Sequence, residues 1–191
     1  LYDIKQTPTY SMRTLAYHEA TPGHHHQIAH SLENEDLTLY RRFGYFTSAF
    51  AEGWALYSEI LALEAGLAED PYDELGILQS ELFRAVRLVV DTGMHYKRWT
   101  REEAMKYMKT KTGMSDTEVR VEIERYIVWP GQALSYKVGM IKILELREKA
   151  MSELGDKFNI KDFHSAVLDH GNPPLFIVEE MVNNMIKENL N

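Results

Sequence analysis

Val86-Arg87-Leu88-Val89-Val90 is the run of this chain richest in β-branched residues, and its reading decides the fold class. Taken alone it has the composition of a short strand. Its surroundings argue for a helix. The run lies inside a stretch that opens at Asp70-Pro71, a cap followed by a proline at the first helical position, and apolar residues then recur at helical spacing as far as residue 96. The same punctuation recurs outward along the chain: Gly66, Thr100 with Glu103, Ser115 with Glu118, Gly155 and Asn172-Pro173-Pro174. The pattern predicts an all-α protein with helices over residues 10–32, 45–65, 71–96, 101–112, 116–128, 132–154, 161–169 and 174–188. Breaks fall at Pro22-Gly23, which kinks the first of these helices, and at Trp129-Pro130-Gly131.

A chain of 191 residues is long enough to bury one sizeable core, and no repeat, low-complexity tract or flexible linker divides it, so residues 1–191 read as a single helical domain. The net charge of −8 and pI near 5.5 argue against a nucleic-acid partner or an anionic membrane surface. No apolar run is long enough to span a bilayer. Cysteine is absent, which removes thiolate chemistry and leaves His, Asp and Glu as the strong metal ligands. The chain opens on Leu1, which is not an initiator, and is expected to be a piece of a longer protein. The sequence does not indicate a compartment.

His18-Glu19-Ala20-Thr21-Pro22-Gly23-His24-His25-His26 carries the chemistry. Two zinc-binding histidines on one regular helix stand four apart, but His24 follows His18 by six. Pro22 has no N–H to give the carbonyl of His18, and Gly23 has conformational latitude. The expectation is a bulge that loops out two residues and carries His24 to the place of a four-apart ligand. His25 is the weaker second ligand, pointing about a quarter turn away. Glu52, in Ala51-Glu52-Gly53-Trp54-Ala55-Leu56-Tyr57-Ser58-Glu59, is the candidate carboxylate ligand, and Glu19 the base that takes a proton from a zinc-bound water. Glu59 lies two turns from Glu52 on the same face, either orienting a ligand histidine or simply solvated.

His-Glu-x-x-Pro-Gly-His-His followed by Glu-Gly-Trp-Ala-x-Tyr-x-Glu resembles the C-terminal part of the DUF885 family, regarded as zinc metallopeptidases. The blocks from Arg84 to His95, from Glu124 to Gly139, and Phe163-His164 with Gly171 and Pro174-Leu175 extend the resemblance over nearly the whole chain. The motif pair is also similar to that of gluzincin peptidases, and that match implies Glu52 rather than Glu59 as third ligand. What the resemblance implies is a zinc-dependent hydrolase acting on peptides, with zinc as cofactor, in which residues 1–191 are the C-terminal catalytic portion of a longer protein and a missing N-terminal portion completes the cleft.

Further residues are candidates. Arg84, Arg87, Asp91 and His95 form one polar stripe; the arginines could receive a peptide carboxylate and His95 could donate to an oxyanion, or the stripe is solvated and salt-bridged. The Trp129–Gln132 turn exposes N–H groups at a helix start, where an anion or carbonyl could bind. Tyr136 is the candidate oxyanion-stabilising hydroxyl, with Tyr126 behind it; the bland alternative packs Tyr136 in the core. His26, His30, His164 and His170 read as structural, and Trp54 and Tyr57 as core or cleft wall. Competing readings are a di-metal carboxylate bundle, whose repeated Glu-x-x-His is not found, and a non-catalytic interaction module with a degenerate site.

Overall fold

The computed structural model describes residues 8–44 and 46–190. Nine α-helices are found among them: α1 (Ser11–Glu19), α2 (His24–Glu33), α3 (Ser48–Glu64), α4 (Pro71–His95), α5 (Arg101–Thr112), α6 (Asp116–Val128), α7 (Ser135–Leu154), α8 (Ile160–Leu168) and α9 (Leu175–Leu190). A π-helical turn at Tyr40–Gly44 and short 3₁₀ turns at Gln132–Leu134 and Gly155–Lys157 complete the order. No strand occurs among the described residues, and no helix there is long and apolar enough to cross a membrane. The protein is all-α.

The helices begin where side chains can satisfy their free N–H groups. Asp70 accepts from the N–H groups of Tyr72 and Asp73, and Pro71 follows at the first position of α4. Thr100 with Glu103, and Ser115 with Glu118, form reciprocal capping boxes at α5 and α6. The β-branched run 86–90 lies well inside α4, burying Val86 and Val90 against Met108, Val119 and Ile123.

Two apolar clusters result. One packs α5 and α6 against α4; the other packs α7, α8 and α9 around α3, with Phe50, Trp54, Tyr57, Ile143, Phe163 and Val182 all at or below 1% exposure. Helix α3 is wrapped on almost every side. From residue 50 to 59 every residue is buried except Glu52, which keeps partial access to solvent. Such enclosure needs close neighbours, and α3 meets α7 at a pair of glycines. A Cβ on Gly53 would fall 2.5 Å from the Gly139 Cα, and one on Gly139 would fall 1.9 Å from the Ala49 carbonyl oxygen. The backbones touch there, placing Glu52 one residue, and Tyr136 one turn, from the crossing.

The expected kinked helix over 10–32 is two helices. Helix α1 stops at Glu19, residues 20–23 turn, and α2 starts at His24. Pro22 offers no N–H and its ring crowds the preceding turn, so the ladder stops there.

Candidate metal centre

The turn between α1 and α2 does what the two-residue insertion implied, by a different route. The His26 N–H donates to the Ala20 carbonyl at 3.3 Å, six residues back rather than four, so two residues are looped out while the path of the chain is kept. Gly23 is required by space: a Cβ there would sit 1.9 Å from the His18 carbonyl oxygen. The Thr21–Pro22 bond is cis. The Pro22 carbonyl turns toward α3, accepting from Trp54 Nε1 at 2.9 Å and from the Ser58 hydroxyl at 3.2 Å. Helix α3 thus grips the loop that sets the spacing of the histidines.

That grip brings His18, His24 and Glu52 together from three helices, each offering a ligand atom within 4.8 Å of the others. Glu52 Oε2 lies 3.2 Å from His24 Nε2 and 3.6 Å from His18 Nε2. Ligand atoms at about 2.0–2.1 Å from a tetrahedral zinc stand about 3.3 Å apart along each edge, so both distances suit a shared ion. His18 is 2% exposed, and its other ring nitrogen, Nδ1, donates to Glu59 Oε1 at 2.7 Å. That bond turns Nε2 toward the cluster, where a cation would take the place of a second ring proton. Glu59 is 1% exposed, with its Oε2 unpartnered and Arg84 Nη2 at 4.0 Å from Oε1. The solvated reading of Glu59 is therefore excluded.

The buried carboxylate and imidazole shift each other. Burial works to raise the Glu52 carboxyl, but hydrogen bonds from His18 and His24 hold it at about 2. Burial works to lower His18, and the hydrogen bonds to Glu52 and Glu59 overcome it and raise the imidazole above its ordinary value. A proton held between two carboxylates occupies the place that a divalent cation suits.

Tyr136, on the first turn of α7, lies beside this cluster. Its ring stacks on His18 with centroids 6.1 Å apart, and its hydroxyl accepts from Gln132 Nε2 at 3.4 Å. Arg87 covers the same ring, its Cζ 4.3 Å from the centroid, with Arg84 at 5.7 Å. The two arginines are largely buried supports of Tyr136 and the Glu59–Glu122 carboxylates rather than open receivers of a substrate carboxylate.

Glu19 ends α1 with an exposed side chain, and among the described residues no hydrogen bond or ion pair holds it. His25 and His26 are exposed on the first turn of α2, outside the group of ligand atoms. His95 is not brought to the cluster. It is exposed at the end of α4, where its Nε2 donates to the Tyr126 carbonyl at 2.9 Å. The expected anion site at the Trp129–Gln132 turn is filled from within, since the Gly131 N–H donates to the Asp91 carboxylate at 3.1 Å. Tyr126 donates its hydroxyl to Glu122 at 2.6 Å. His164 accepts from the Tyr57 hydroxyl at 2.9 Å beneath Trp54, and burial, with Arg147 and His26 nearby, lowers it to about 4.

The sequence reading did not single out Ser58 or Arg125. Ser58 sits one residue before Glu59, and its fold-back onto Pro22 has no local signature. Arg125 lies seven residues before Gln132, two turns apart in a helix, a spacing that the intervening Trp129-Pro130-Gly131 break obscures.

The chain resembles two solved structures. One, titled "The crystal structure of the putative lipoprotein from Colwellia psychrerythraea", is 53% identical with a TM-score of 0.94, over 98% of this chain and 32% of that one. The other, a "putative lipoprotein of unknown function" from Shewanella oneidensis, is 28% identical with a TM-score of 0.84, over 92% of this chain and 32% of that one. The chain thus spans about a third of the length of each. No curated protein matches it. A family model described as "Bacterial protein of unknown function (DUF885)" matches residues 1–182, and the chain belongs to that family.

Proposed function

We propose that this chain is the metal-bearing part of a zinc-dependent hydrolase of peptide bonds. The observation that carries the reading is the convergence of His18, His24 and Glu52 with Glu59 fixed behind His18: two imidazoles and a carboxylate, with a buried carboxylate setting the tautomer of one ligand. The donor set fits zinc, which in hydrolytic sites takes three protein ligands and keeps a fourth position for water. When bound, zinc polarises a substrate carbonyl and lowers the pKa of water.

The chain's own residues supply the remaining chemistry. Glu59 holds the His18 Nδ1 proton, which keeps Nε2 available to the ion. Glu19, adjacent to His18 and unpartnered, takes a proton from the attacking water on its carboxylate and returns it to the leaving amine. The hydroxyl of Tyr136, whose ring stacks on His18, donates to the carbonyl oxygen as it gains charge. His95 has no part in this scheme. The walls that choose the peptide come in part from the rest of the longer protein.

The test is metal analysis of the untagged full-length protein, followed by cleavage of a peptide library with Glu19→Gln as control. Tightly held zinc and amide hydrolysis abolished by Glu19→Gln are expected. Zinc-free protein, or hydrolysis that survives the substitution, ends the reading.

A further inference from the structure

The guanidinium groups near Tyr136 differ in access. Arg87 and Arg84 have side chains 3% and 15% exposed, whereas Arg125, in the last turn of α6, is 39% exposed. Arg125 Nη2 donates to Gln132 Oε1 at 3.3 Å, and Gln132 Nε2 donates to the Tyr136 hydroxyl at 3.4 Å. A polar line therefore leads from Tyr136, whose ring stacks on His18, through Gln132 to an accessible cation.

That cation is incompletely engaged. Its carboxylate neighbour, Glu122, lies 3.7 Å from Nη1, too long for a hydrogen bond, and is shared with Arg87 at 3.7 Å and the Tyr126 hydroxyl at 2.6 Å. The adjacent Glu124 is taken by Arg101 at 2.5 Å, and Asp91 is turned to the Gly131 N–H. A guanidinium has five N–H donors in a planar fork, matched to a carboxylate. Arg125 spends one of them on a neutral amide oxygen.

Resting on the peptidase reading above, we propose that Arg125, with Gln132 beside it, binds the C-terminal carboxylate of the peptide substrate, so that the enzyme trims from the carboxyl end. Two hydrogen bonds, from Arg125 to Gln132 and from Gln132 to Tyr136, link the cation to the ring that stacks on His18. A peptide residue advances the chain about 3.5 Å, so a short run of residues past the scissile bond spans this pair of side chains. An internal stretch of peptide has no charge to place there. Arg125 is thus a specificity-determining residue.

The experiment uses full-length, zinc-loaded protein and one peptide made in two forms, with a free C-terminal carboxylate and with a C-terminal amide. Hydrolysis is followed in the wild type, and binding is followed separately by fluorescence anisotropy in Glu19→Gln. The free acid is expected to be cleaved with at least 100-fold higher kcat/KM, mostly through KM, and to bind correspondingly tighter. In Arg125→Gln the ratio of acid to amide falls to about one with zinc content unchanged, and Arg125→Lys, which keeps the charge opposite Glu122, recovers part of the preference. Turnover or binding that ignores the form of the terminus overturns the carboxylate site. Preferential binding of the acid without hydrolysis overturns the peptidase reading and upholds the carboxylate site.

Discussion

Inside the protein, His18 Nδ1 and Glu59 Oε1 lie 2.7 Å apart, two titratable groups that are 2% and 1% exposed. A carboxylate placed behind a ligand imidazole fixes the ring and raises its basicity, and removing such a partner costs about 10–100-fold in metal affinity. Glu59→Gln is expected to weaken zinc binding by that factor in a chelator competition. Its amide oxygen can still accept from Nδ1, so the loss reads the charge and not the shape. An unchanged affinity removes Glu59 from the metal centre.

Substituting the converging side chains tests them individually. His18→Ala, His24→Ala and Glu52→Gln should each abolish stoichiometric zinc, while His25→Ala retains it. Glu19→Gln should retain zinc and lower kcat by on the order of 10²–10⁴-fold, the usual contribution of a positioned base. Zinc retained by Glu52→Gln and lost by Glu19→Gln would exchange the two roles.

The glycines make a separate prediction about spacing. Gly23→Ala places a methyl 1.9 Å from the His18 carbonyl, and Gly53→Ala places one 2.5 Å from Gly139. Forced overpacking costs about 1–3 kcal/mol, or roughly 2–12 °C in Tm for a protein of this size. Gly23→Ala should also lose zinc out of proportion to its stability, because the clash moves His24. Thermal melts and zinc titration of both variants separate the effects.

The helices were legible because their signals are local. Caps at Asp70, Thr100 and Ser115 stand within three residues of the N–H groups they serve, and the apolar period of α4 outweighs the β-branched run inside it. The pairing of His18 with His24 and Glu52 was legible from spacing plus one break. What stayed hidden depends on distant partners. Nothing near Pro22 announces that Trp54 and Ser58 will hold its carbonyl, so a kink was expected where a full turn separates two helices. Glu59 could be placed on a helical face but not given a partner, and His95 could not be seen turning to Tyr126. The close approach of Gly53 and Gly139 joins residues 86 positions apart, beyond any local pattern.

Acidification tests the interior near Trp54. His164 is held neutral, its folded value lowered from 6.5 to about 4 chiefly by burial, and it accepts from the Tyr57 hydroxyl. The unfolded chain takes up this proton first as pH falls. The stability that neutral His164 contributes is therefore present above about pH 6.5 and lost progressively between pH 6.5 and 4. His164→Gln should flatten the denaturation profile in that window relative to wild type. A difference that grows above pH 7 instead has the wrong sign for this cause.

Trp54 and Ser58 together fasten one backbone oxygen, and the reach of that detail extends to how relatives are recognised. A search that demands two histidines on a single uninterrupted helix passes over proteins built this way. The more faithful signature is the companion rod, with Glu, Trp, Ser and Glu at relative positions zero, two, six and seven, because it is this rod that measures out the gap between the imidazoles.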